Sequence, residues 1–76
     1  MERIKTKIIS KRIDDSYYLT LEFLDHYNIH TGKDISEIRV SREAYIRLKI
    51  GDKILCPMLK ESEGLVYDYS FSLHKI

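Results

Sequence analysis

Residues 40–54 (Val-Ser-Arg-Glu-Ala-Tyr-Ile-Arg-Leu-Lys-Ile-Gly-Asp-Lys-Ile) constrain the fold more than any other stretch, because several local signals agree there. A strand ends at Val40. Ser41 is a good N-cap, since its hydroxyl can accept from a free amide of the first helical turn. Glu43 is favourable near the positive end of a helix dipole and can pair with Arg47 one turn later. Tyr45 and Leu48 lie three apart and face one side. Gly51-Asp52 cannot continue a helix and marks the turn into a strand over residues 53–58. Strand, short helix at about 41–49, turn, strand: that order belongs to a small, mostly β domain.

The rest of the chain fits this reading. Ile4, Thr6, Ile8 and Ser10 share one side of a period-two strand, and Arg3, Lys5, Lys7, Ile9 and Lys11 share the other. Asp14-Asp15-Ser16 supplies turn chemistry. Tyr17, Leu19, Leu21 and Phe23 then alternate with Tyr18, Thr20 and Glu22, so the first two strands form an antiparallel hairpin. Residues 25–36 lose periodicity and read as a long loop, a kind often tied to function. Glu37 to Val40 is a short third strand, with Ile38 and Val40 inward. Pro57 limits the fourth strand to an edge, or itself to a strand end. Residues 60–64 make a polar turn, after which Leu65, Tyr67, Tyr69, Phe71 and Leu73 alternate inward in a fifth strand. The expectation is a five-stranded small barrel or rolled antiparallel sheet with one short helix before strand four, a single domain over residues 1–76.

The pattern Val40-Ser41-x-x-x-Tyr45-x-x-Leu48-x-x-Gly51-Asp52, preceded by the Tyr17–Phe23 strand, resembles a group of short bacterial β-rich domains of unknown function. In that group a basic first strand, a Tyr-rich second strand and a V-S-x-x-x-Y-x-x-L-x-x-G-D segment follow in the same order. The resemblance covers residues 4–55 and implies a compact β fold with no known activity. Many members carry an N-terminal membrane anchor; the charged opening Met1-Glu2-Arg3-Ile4-Lys5 does not read as one, so an envelope location is not expected. The Ile50-Gly51-Asp52-Lys53-Ile54 turn is also similar to turns in SH3-like and OB-like small barrels.

Composition narrows the function classes. A single cysteine, Cys56, cannot form an internal disulfide, which suits a reducing compartment. No apolar run approaches the roughly 20 residues of a membrane span, and no signal peptide is recognisable, so a cytoplasmic location and no membrane partner are expected. Abundant Ile, Lys and Tyr suit an AT-rich bacterial or phage genome. Net charge is only +1 but is distributed in blocks: +4 over residues 1–13, −5 over 14–38, +3 over 39–53 and −1 over 54–76. Such blocks can polarise a surface despite a near-neutral total.

Each candidate site has a plain structural counterpart. Arg3, Lys5, Lys7 and Lys11, with Arg39, Arg42, Arg47 and Lys49 nearby and Tyr18 as a stacking platform, have the cations and aromatic of a single-strand nucleic-acid groove. Lysines on a first strand are equally a defence against edge-to-edge aggregation. His26 and His30 lie four apart beside Asp25, but a structural zinc site needs four ligands and none of the usual paired spacings is present. Cys56 reads as a small buried apolar residue. No catalytic constellation is visible, and Gly32-Lys33 lacks the rest of a phosphate-binding loop. Most aromatics fall inward, the default for alternating aromatics. Tyr18 and Tyr27 have no inward assignment, and tyrosine is enriched at protein interfaces.

The leading expectation is therefore a non-catalytic protein-interaction module without cofactor or metal, an adaptor or small inhibitor of the kind phages and plasmids encode. Its partner is unidentified, and Tyr18, Tyr27, His30 and Lys33 are its contact residues. Self-association through an open sheet edge is the simplest version. The alternative is a nucleic-acid-binding small barrel using the basic first strand.

Overall fold

The computed structural model describes residues 2–24, 34–61, 64–67 and 73–76. Its elements are β1 (Glu2–Ile13), β2 (Tyr17–Phe23), β3 (Ile35–Val40), α1 (Arg42–Arg47), β4 (Lys53–Glu61), β5 (Gly64–Tyr67) and β6 (His74–Lys75). The strands form one antiparallel sheet in the order β3-β2-β1-β4-β5, and β6 also pairs with β4. The mostly β fold and the single helix before strand four are as expected. The sheet is not closed into a barrel: β3 and β5 stand at opposite ends of the strand order.

Hydrophobic alternation explains which face is covered. Ile4 and Ile8 of β1, Leu19, Leu21 and Phe23 of β2, Ile38 and Val40 of β3, and Ile54, Cys56 and Met58 of β4 are all buried, with Leu48 and Leu73 packed among them. Thr6 is the one polar residue in this set, and its hydroxyl donates to the Ile54 carbonyl at 3.1 Å. Burying a hydroxyl without such a partner would be costly.

Three expectations need correction. First, β1 is not an edge strand. It pairs with β2 on one side and, over Glu2–Lys7, with β4 on the other, so edge protection does not account for Lys5 and Lys7. Second, the alternation of β1 breaks. Ile8 lies opposite Leu21 but Ser10 lies opposite Thr20, so Ile9 is an extra residue in a β-bulge. Because side chains repeat every two residues, one added residue moves everything beyond it to the opposite face. Lys11 and Ile13 therefore pair with the inward Leu19 and Tyr17, while Ser10 and Arg12 turn outward. Third, β4 is interior despite Pro57. The prolyl residue faces Arg3 of β1, and on the other side of β4 pairing passes from β6 at Leu55 to β5 at Met58. Cys56 and Pro57 fall at that changeover, where no pairing among the described residues calls on the missing N–H.

At the C-terminal end, Tyr67 lies opposite Met58 and His74 opposite Leu55. Leu73 is buried and Tyr67 packs at the core margin, as expected; Tyr69 and Phe71 lie outside the described residues.

The 40–54 segment folds as its signals dictate. The Ser41 hydroxyl accepts from the Ala44 N–H at 3.1 Å. Leu48 is fully buried, and Tyr45 packs on Tyr17 with ring centroids 5.3 Å apart. Arg47 does not turn back to Glu43; its guanidinium donates to the Leu73 carbonyl at 3.1 Å. The turn that follows is closed by Asp52, whose backbone N–H donates to the Lys49 carbonyl and whose carboxylate accepts from the Lys49 N–H. Gly51 has φ of 96°, a left-handed conformation that glycine adopts without penalty.

Candidate functional site

The solvent side of β1, β2 and β3 carries Arg3, Lys5, Lys7 and Tyr18, four of the ten candidate residues, and the register sets their order. One cross-strand row reads Arg12, Tyr18, Arg39; a second, further along the sheet, reads Lys53, Lys7, Glu22, Ile35. Arg3 and Lys5 continue the basic line along β1, both exposed, next to Pro57 and Leu55 of β4.

The first row is knitted together. The Arg12 guanidinium lies over the Tyr18 ring at 4.3 Å, a cation–π arrangement. It reaches across β2 to grip the Glu37 carboxylate with two donors, at 2.9 and 3.2 Å, and donates to Asp14 at 3.1 Å. The Tyr18 hydroxyl donates to Asp15 at 2.7 Å. These contacts shift proton affinities in the directions expected of hydrogen-bonded ion pairs. The Arg12 bond holds the Glu37 carboxyl below its usual range, and the carboxylates in turn push the guanidinium further up. Donation to Asp15 raises the Tyr18 phenol above 10.0. Tyr18 is half-buried rather than fully displayed.

The acidic and basic blocks of the sequence consequently meet rather than segregate. Arg12 of the first block bonds Asp14 and Glu37 of the second, and Lys7 lies opposite Glu22. The face is mixed in charge.

The basic set does not assemble as one groove. Arg3, Lys5 and Lys7 share the outer face, joined by Lys53 opposite Lys7. Lys11 is turned by the bulge to the covered side, where its ammonium donates to the Tyr45 carbonyl and, at 2.8 Å, to the Leu48 carbonyl while sitting 4.1 Å above the Tyr45 ring. It caps the end of α1, where unpaired carbonyls and the helix dipole favour a cation. Arg42 and Arg47 lie on that same helix, which packs through Tyr45 on the inward Tyr17. Of the contact residues expected from sequence, Tyr27, His30 and Lys33 lie outside the described residues, as does His26.

Glu37, Asp14, Asp15 and Lys53 were not singled out by sequence. The pairing of Arg12 with Tyr18 was within reach, since a turn at residues 14–16 sets them opposite one another. Lys53 was not, because its place beside Lys7 depends on β4 joining β1. Chemistry elsewhere is sparse. Burial pushes the Cys56 thiol up to about 12, which disfavours the reactive thiolate. Among the described residues no three His, Cys, Asp or Glu side chains gather as a metal site, and no helix is long and apolar enough to cross a membrane. No family model, curated protein or solved structure matches this chain.

Proposed function

We propose that this chain is a non-catalytic protein-interaction module, adaptor or inhibitor in type, and that it docks its partner on the outer sheet face around Tyr18. The row of Arg12, Tyr18 and Arg39, braced by Glu37, Asp14 and Asp15, carries the reading. Tyrosine and arginine dominate binding hot spots. Side chains that already hold one another lose little conformational freedom on docking, which favours affinity. Tyr27, His30 and Lys33, the other contact residues expected from sequence, lie outside the described residues, in the connection that leaves β2 at Phe23, the end of the strand away from Tyr18.

Nucleic-acid binding is the second reading, and one observation favours it: Arg3, Lys5, Lys7 and Lys53 line a central part of the sheet, not an edge that needs guarding. The dispersal of Lys11, Arg42 and Arg47 to the helix side leaves this line short, and Glu22 sits beside it.

Site-specific photocrosslinking in cells separates the two. A photoreactive phenylalanine analogue at Thr20, on the outer face beside Tyr18, is expected to yield an adduct that protease removes and nuclease does not. Arg12→Ala or Tyr18→Ala should abolish it, and the same analogue at the exposed helix residue Ile46 should give none. A nuclease-sensitive adduct, or single-strand binding whose affinity falls steeply with salt, transfers the assignment to nucleic acid. Equal labelling from Thr20 and Ile46 overturns the surface altogether.

A further inference from the structure

The side of β3 away from β2 has a further feature, carried by the same Glu37 and Arg39 that flank the proposed outer-face site. Among the described residues no strand pairs with β3 on the side away from β2. The Phe23 N–H donates to the Asp34 carbonyl at 2.7 Å, which sets the phase of hydrogen bonding between β2 and β3. Alternation then directs the backbone groups of Ser36, Ile38 and Val40 towards β2 and those of Ile35, Glu37 and Arg39 towards the edge. An edge of this kind is a template for another strand. β3 has no proline, no lysine and no register irregularity that would blunt it.

We infer that this edge joins a second copy of the same chain about a two-fold axis, with Ile38 opposite Ile38 and Glu37 opposite Arg39. Two constraints favour that register over its nearest alternatives. The outer residues 35, 37 and 39 must meet outer residues for the two sheets to continue each other, so the axis passes through a residue and not between two. Centring on Glu37 would set Glu37 against Glu37, and centring on Arg39 would set Arg39 against Arg39, and like charges directly opposite are destabilising. Centring on Ile38 instead sets Glu37 against Arg39 twice. Each of those pairs is of the type that exchanges two backbone hydrogen bonds, because both residues direct their N–H and C=O outward. Glu37 and Arg39 both have contacts within their own chain, and the interface shares them: a carboxylate can accept from Arg12 and from a second guanidinium at once.

Sedimentation velocity over a concentration series tests this with the wild type, Glu37→Arg, Arg39→Glu and an equimolar mixture of the two variants. The wild type is expected to dimerise. Each variant alone places like charges across both pairs and should weaken dimerisation about tenfold or more, by the size of cross-strand charge terms. The mixture restores opposite charges at every pair and should associate like the wild type. A wild type that stays monomeric at its highest soluble concentration overturns the inference, as do single variants that dimerise unchanged or a mixture of folded variants that stays monomeric. Circular dichroism verifies folding. If Glu37→Arg fails to fold for want of its Arg12 contact, Arg39→Pro removes an edge-facing N–H without touching the β2 ladder, and undiminished dimerisation of that variant is equally fatal.

Discussion

The two halves of β1 show how one strand can do two jobs. Up to Ile8 it is a central strand between β2 and β4, with Ile4, Thr6 and Ile8 buried and Arg3, Lys5 and Lys7 in solvent. Beyond the bulge at Ile9 it pairs with β2 alone, its faces are exchanged, and Lys11 closes the end of α1. Lys7 and Lys11 look alike in sequence and are opposite in role. A cation is worth little on an open face, whereas one delivered to unpaired carbonyls satisfies groups that would otherwise lack partners.

The largest test of this contrast is in the core. Ile8→Ala is expected to cost about 2–5 kcal/mol, the range for truncating a buried aliphatic side chain. Ile13→Ala, in the other half and 62% exposed, should stay within about 0.5 kcal/mol. Urea denaturation measures both, and comparable losses would erase the distinction. Next comes Lys11→Met, which keeps an unbranched stem and removes the ammonium. It should cost about 1.5–3 kcal/mol, the scale of hydrogen bonds from a charged group, while Lys7→Met costs almost nothing. Faster hydrogen exchange at the Leu48 amide, which donates to the Ala44 carbonyl, would locate the loss in α1.

Gly51 joins the halves, since its N–H donates to the Ile8 carbonyl at 2.8 Å. A Cβ there meets nothing within 4 Å, so Gly51→Ala tests conformation alone and should cost about 1–2 kcal/mol by thermal denaturation. Acid titration gives the smallest effect. Glu37 and Asp52 have folded proton affinities lowered, Glu37 by Arg12 and Asp52 by the Lys49 N–H. A lowered folded pKa adds stability that is complete above the unfolded value and lost as pH falls through the folded one. Stability should therefore decline below about pH 4, the unperturbed carboxylate range. Glu37→Gln should flatten part of that decline, and Lys7→Met none of it.

Much of the fold was legible because it rests on local rules. The hairpin follows from alternation and a turn at Asp14-Asp15-Ser16, the helix from Ser41 and Gly51, and the covered face from Leu19, Leu21, Ile38 and Val40. The start of β3 at Ile35 was missed because the apolar Ile35 is exposed and Ser36, opposite the inward Leu21, is polar, so their pairing with Glu22 and Leu21 leaves no periodic trace. The bulge was missed for a related reason. Ile8-Ile9 gives two apolar neighbours, and periodicity cannot say which is the inserted one. The site suffered accordingly: a stripe running from Arg3 to Lys11 is natural for a regular strand and impossible once one residue is added.

By itself, the chain's pattern of apolar, capping and turn residues determined a mostly β domain with one short helix, since each such residue acts through neighbours a few positions away. Tertiary structure alone decided that β1 is central, that β4 tolerates Pro57, that Lys11 serves α1 and that no described strand pairs with β3 on the side away from β2. Strand order and registry depend on contacts between residues tens of positions apart, and those contacts leave no mark in the period of any single strand.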